Sequence, residues 1–277
     1  MTCRWRRLVS LGFACWFGLS LALGSGCAAS RERVRPGGEE GPGGSIAAQR
    51  LIVGSSVEGR PIECYVLGQG PTTALILASI HGNESAGTPL VFRLREYVAE
   101  NPEVLSGRRI LLMPAANPDG LAYNQRHNVH GVDLNRNFPA ANFQSGKCFG
   151  PSALSEPESA ALHRVLSDYK PASVISLHQP LNYGSACIDY DGPAAGLARA
   201  MATQCDLPVK RLGSLHGSLG SYVGLALKTP IITVELPKEA TGWSADRLWE
   251  GYGEMLLAAV RFSPTVLTGE TDDETAP

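Results

Sequence analysis

The stretch ALILASIHGNESAGT (residues 74–88) decides how the rest of the chain is read. From Ala74 to Ile80 it is apolar but for Ser79, with the composition of a strand buried on both faces. It then runs straight into His81, Gly82, Asn83 and Glu84. An imidazole closing a core strand, with a carboxylate three residues on, is unusual for packing. In open α/β sheets the carboxyl ends of strands are where ligands are met.

The same pattern recurs downstream. ASVISLH (172–178) is a core strand ending in His178, and PIITVEL (230–236) carries Glu235 at its end. RRILLMPA (108–115) adds a further core strand. RLIVGS (50–55) and IECYVLG (62–68), joined by a Gly-containing turn, read as an antiparallel pair. Helical periodicity marks residues 85–101, 155–169, 194–205 and 244–262, the second with Ser155 and Glu158 at capping-box spacing. This alternation predicts a single-domain α/β fold with a mixed sheet flanked by helices.

The totals bound the rest. At 277 residues the chain suffices for one generous domain, and a net charge of −2 offers nothing to a nucleic acid. Arg4, Arg6 and Arg7 precede an apolar run from Leu8 to Leu23 and then GSGCAAS, the layout of a secretory leader. That run of 16 residues is shorter than the roughly 20 of a membrane span. Cys27, after small residues, resembles a bacterial lipoprotein cleavage site, with Gly24 where Leu is usual, so export to a bacterial envelope on a lipid anchor is expected. Residues 1–27 are then leader, 28–47 a Gly- and Pro-rich linker, 48–264 the folded domain and 265–277 a polar tail. Cys64, Cys148, Cys187 and Cys205 lack close metal-site spacing and serve packing or bridges, in any of three pairings.

Two histidines and two carboxylates near three strand ends point to metal chemistry. Catalytic zinc takes three protein ligands, two His and one Glu being a known set, and keeps a position for water. The H-x-x-E pair His81 and Glu84 sits within one turn, and His178 completes a tripod. Glu235 is then the spare carboxylate, available to take a proton from the attacking water. The stretch NPDGLAYNQRHNVHGVDLNRNFP (117–139) is long, aperiodic and rich in Asn and Arg, which marks a functional loop. Its Arg126 and Arg136 can polarise a carbonyl or fork onto a carboxylate.

With HGNE (81–84), NPDG (117–120), RHN (126–128), GVDLNRNFPAANF (131–143), SEPES (155–159), LHQP (177–180) and VELP (234–237), the chain resembles the zinc carboxypeptidase family, in particular its murein peptide amidase branch. The resemblance implies a twisted sheet of about eight strands and one Zn²⁺ per chain held by His81, Glu84 and His178. It implies Glu235 as general base, Arg126 as oxyanion stabiliser, and Asn135 and Arg136 as holders of the substrate's free carboxylate. The substrate class it points to is a peptide or muropeptide with a free terminal carboxylate, cut at a γ-D-glutamyl–diaminopimelate bond, and the enzyme is expected to be a monomer. Two features depart from the family pattern. Leu212 stands where carboxypeptidases of this type place a mobile tyrosine, and Gln179 follows His178 where the amidases are expected to have an acid lining the site. A zinc deacylase of N-acyl amino acids and a non-catalytic wall-binding lipoprotein are the competing readings; Glu235 argues against the second, because binding needs no base.

Overall fold

Residues 45–180 and 185–263 are described by a computed structural model. The leader (1–27), the linker up to residue 44 and the tail (265–277) lie outside the described residues. The strands are β1 (Gln49–Ser55), β2 (Pro61–Leu67), β3 (Thr72–Ala78), β4 (Arg108–Met113), β5 (Ser173–His178), β6 (Cys187–Asp191), β7 (Val209–Lys210) and β8 (Ile231–Glu235). The helices are α1 (Gly87–Glu100), α2 (Pro118–Ala122), α3 (Pro157–Tyr169), α4 (Ala195–Ala202) and α5 (Ala245–Arg261).

One mixed sheet of eight strands runs in the order β1-β2-β4-β3-β5-β8-β6-β7. Its centre, β4-β3-β5-β8, is parallel, while β1, β2 and β6 join in antiparallel pairs. The unbroken apolar runs follow from burial on both faces. Along β3, Ala74, Ile76 and Ala78 pack with Leu90 and Leu94 of α1 and Met255 of α5, while Leu75 and Leu77 pack with Leu162 and Val165 of α3. Because the central strands are parallel, the carboxyl ends of β3, β5 and β8 open on one edge. His178 and Glu235 are register partners there.

Some expectations are corrected. β3 stops at Ala78, two residues before Ile80, because Ser79 takes a left-handed φ of 51° and turns the chain. The next turn is then held by Asn117 N–H donating to the Ser79 carbonyl at 3.0 Å. His81 thus sits in the turn beyond the strand rather than on it. The capping box does not form. Pro157 starts α3 one residue late, with Glu156 at its N-cap, and Glu158 instead accepts from Val57 N–H and Asn128 Nδ2 at 3.1 and 3.2 Å. The strands β6 and β7 and the short α2 went unread in the sequence. All four cysteines of the domain are free thiols, so no bridge forms. Burial pushes the Cys64 thiol up to about 12, a backbone hydrogen bond at Leu112 opposing it.

Candidate active site

The turn after β3 and the end of β5 bring three expected side chains to one point. One ligand atom from each of His81, Glu84 and His178 lies within 4.8 Å of the others, and all three residues are buried. His81 Nδ1 is 2.9 Å from Glu84 Oε1, and His178 Nδ1 is 2.8 Å from Glu84 Oε2 and 3.2 Å from His81 Nδ1. The turn closes this tightly because Gly82 lies on the backbone of Gly120, where a Cβ would come within 1.9 Å of the Gly120 carbonyl carbon. HGNE and NPDG are therefore two halves of one contact, and Asn117 Oδ1 steadies the second half by accepting Gly120 N–H at 2.9 Å.

The electrostatics test whether a metal fits. His81 Nε2 faces Asp133 Oδ1 at 3.0 Å, so an Nε2 proton leaves Nδ1 presenting a lone pair toward Glu84. Burial alone would lower the proton affinity of His81, but Glu84 and Asp133 outweigh it and raise it. Burial would likewise raise Glu84, yet His81 and His178 hold its carboxyl well below the usual range. The site thus draws positive charge to a point ringed by buried donors. Two imidazole nitrogens and a carboxylate oxygen form a zinc donor set, and the residues present fit that ion.

Around this point lies a cleft of about 440 Å³ lined by Glu84, Arg126, Asn135, Arg136, His178 and Glu235. Six of the seven expected residues therefore share one cavity, and His81 lies buried behind them in contact with Glu84 and His178. Burial pushes the Glu235 carboxyl up, His178 opposing and Glu84 adding to it. Its Oε2 is buried and has no hydrogen-bond partner among the described residues. Arg126 Nη1 lies 2.8 Å from Glu84 Oε1. Asn135 Oδ1 accepts Leu219 N–H at 2.8 Å, which leaves the amide NH₂ as its free donor end. Burial pulls the Arg136 guanidinium below its ordinary value, with Asp133 opposing.

Residues 45–191 match the zinc carboxypeptidase family. Murein peptide amidase A of Escherichia coli K12 is 32% identical over 252 residues, covering 83% of this chain and 96% of that one. The chain belongs to the zinc carboxypeptidase family. The murein peptide amidase A of Vibrio campbellii is 31% identical, covering 76% of this chain and 87% of its own. Among solved structures, the murein-tripeptide amidase of E. coli O157 superposes with a TM-score of 0.64 at 29% identity, over 78% of this chain and 93% of that one. The carboxypeptidase A of Helicoverpa armigera shares the fold, with a TM-score of 0.60 at 19% identity over 77% of this chain and 68% of that one. This chain is accordingly a zinc-dependent hydrolase of peptide or amide bonds.

For a zinc carboxypeptidase, further groups in and around the cleft are informative, and the acidic ones, Asp133, Asp189 and Asp191, were not assigned from the sequence. Asp133 bonds both His81 and Arg126, the latter at 3.2 Å from Nε. Asp189 and Asp191 of β6 line the cleft, their i, i+2 spacing putting both on one strand face. That D-x-D alternation was the available signal, hidden because β6 itself was not read. Leu212, 61% exposed, lines the cleft. Gln179 reaches the cleft wall, but its amide atoms are bonded to backbone and to Thr241.

Proposed function

We propose that this enzyme is an amidase that releases a terminal residue with a free carboxylate from murein peptides, cutting the γ-D-glutamyl–diaminopimelate bond. The observation that carries the reading is that Glu84, His178, Glu235 and Arg136 line a single cleft. His81, Glu84 and His178 hold one zinc ion per chain. When bound, the ion supplies Lewis acidity, which makes water acidic enough to attack and polarises the scissile carbonyl.

The chain's own residues do the rest. Glu235 takes the proton of the attacking water and returns it to the departing amine, roles that its raised proton affinity supports. Arg126 neutralises charge building on the carbonyl oxygen, a contribution of ~10²–10³ in rate for a donor of this kind. Asn135 and Arg136 hold the free carboxylate. An internal peptide would leave that guanidinium half-buried and unpaired, so chain ends are selected.

Two further observations support the substrate class. Asp189 and Asp191 are 6% and 7% exposed and face the same cleft as Arg136. A leaving residue with a carboxylate and a side-chain ammonium, as in diaminopimelate, meets both signs of charge. Likeness to the murein peptide amidases over 83% of the chain points the same way. The enzyme works as a monomer in the bacterial envelope, anchored by lipid at Cys27, with residues 28–47 as tether, 48–264 as catalytic domain and 265–277 as tail; the basic, apolar and small-residue layout of residues 1–27 supports the anchor.

The test is mass spectrometry of products from L-alanyl-γ-D-glutamyl-diaminopimelate and from N-acetyl and N-succinyl amino acids, with and without a chelator. Chelator-sensitive release of diaminopimelate is expected. Turnover of the N-acyl amino acids alone overturns the reading in favour of a deacylase. Labelling of the full chain by a palmitate analogue, lost in Cys27→Ser, tests the anchor.

A further inference from the structure

The side chain of Gln179, next to His178 at the end of β5, is 5% exposed. Its Oε1 accepts Ala86 N–H at 3.0 Å, in the turn that carries His81 and Glu84. Its Nε2 donates to the carbonyls of Pro237 and Lys238 at 3.1 and 3.2 Å and to Thr241 Oγ1 at 2.9 Å, in the turn that follows Glu235. Its backbone N–H donates to Glu84 Oε2 at 3.2 Å. One amide therefore ties together the three segments that supply Glu84, His178 and Glu235.

The chemistry demands an amide. One end of this side chain meets a donor and the other meets two carbonyls, so the orientation of the amide is fixed by its partners. A carboxylate has no hydrogen to offer Pro237 and Lys238, and a thioether satisfies neither end. The residue that departs from the acid expected after His178 is the one the surrounding backbone can accept. The buried Oε2 of Glu235 has no hydrogen-bond partner among the described residues, so no hydrogen bond of its own holds that oxygen in place. Its carboxylate is aimed by the backbone of β8 and the turn after it, and that turn is what Gln179 holds.

We propose that Gln179 is a positioning residue, which sets the Glu235 carboxylate against the His81–Glu84–His178 set through the turn at Pro237–Thr241. The inference rests on the hydrolase reading of the site but not on the identity of the substrate. Displacing a reacting group by about 1 Å costs ~10² in rate, and the loss of a group orienting metal ligands costs ~10–100-fold in metal affinity or activity.

The test compares the parent with Gln179→Met, Thr241→Val and the double variant. Melting curves establish folding, and kinetics are measured at saturating zinc. Gln179→Met is expected to lower kcat about 10–100-fold with KM within about threefold. Thr241→Val is expected to lower kcat less, and the double variant no further than Gln179→Met, since both cut one brace. If Gln179→Met fails to fold, Thr241→Val alone carries the test, with a drop of about threefold or more expected. A kcat within twofold of the parent in the folded, zinc-loaded variants overturns the proposal, as does a fully multiplicative double variant. Zinc affinity by competition with a chromogenic chelator separates the two readings. If the parent cleaves no peptide, the hydrolase reading fails by itself. A tenfold weaker zinc affinity in Gln179→Met then supports the brace, and an unchanged affinity rejects it.

Discussion

Asp133 Oδ1 lies 3.0 Å from His81 Nε2, while its second oxygen lies 3.2 Å from Arg126 Nε. One carboxylate thus orients the His81 imidazole and the Arg126 guanidinium beside it. Burial would raise Asp133, but the bond to His81 and the nearby Arg126 and Arg136 outweigh it and hold the carboxyl well below its usual range. Replacing it by Asn keeps the shape and removes the charge. Asp133→Asn is expected to weaken zinc about 10–100-fold, measured by chelator competition, with a melting temperature near the parent's. Unchanged zinc affinity would show that Asp133 merely packs.

Glu235 has the opposite character. It is raised by burial and carries an oxygen with no partner among the described residues, so replacing it disturbs little else. Glu235→Gln is expected to lower kcat by ~10²–10⁴ while KM and zinc affinity stay near the parent's. Full activity in this variant would hand the proton transfer to another group.

These two residues also mark what the sequence could and could not reveal. Glu235 was legible because it ends an apolar run, as His178 does, and parallel neighbours bring such ends together. The sheet was legible for the same reason, through unbroken runs such as Leu75–Ala78 that only a two-sided core explains. Asp133 was not, since its bond to His81 spans 52 residues and depends on the path of an aperiodic loop. The capping box misled because Pro157 moved the helix start and a buried network claimed Glu158. For Asp133 and Glu158 alike, a long-range polar contact decided the role that no local pattern shows.

The anchoring role proposed for Arg136 predicts a split between binding and turnover. Arg136→Met keeps the aliphatic stem and removes the fork. KM for substrates with a free carboxylate is expected to rise about 10–100-fold, the worth of a hydrogen bond to a charged group, with kcat changed far less. The substrate's terminal amide, which lacks the charge, should lose little. Steady-state kinetics on the acid and the amide decide this, and equal losses on both would remove Arg136 from the anchoring role.

The acidic wall of the cleft predicts selectivity rather than rate. Asp189 Oδ1 accepts Leu212 N–H at 2.9 Å, and Asp191 bonds Ser214 Oγ, so each carboxylate has one oxygen tied to the rim and another left for a ligand. Replacing both by Asn is expected to lower kcat/KM about tenfold for substrates whose leaving residue carries an ammonium. Substrates with an uncharged leaving side chain should lose little. A uniform loss across both substrates would assign the pair to structure.

Asp119 ties stability to pH at some distance from the chemistry. Fully buried in the first turn of α2, it accepts from Ser56 Oγ at 2.7 Å, Arg60 Nη1 at 2.6 Å and Glu58 N–H at 3.0 Å. Burial would raise this carboxyl, but those bonds outweigh it and the group ends below its ordinary value. Because the folded value is the lower one, the stabilisation is present in full above the unfolded value of about 3.9 and fades as pH falls through the folded one. Asp119→Ala is therefore expected to melt about 5–10 °C below the parent at neutral pH, the gap closing only below about pH 4. α2 also supplies Gly120, against which Gly82 packs, so the variant should lose zinc more readily as well. Thermal melts from pH 7 to pH 2 check the sign, and a gap that stays constant throughout would mean the ionised carboxylate contributes nothing.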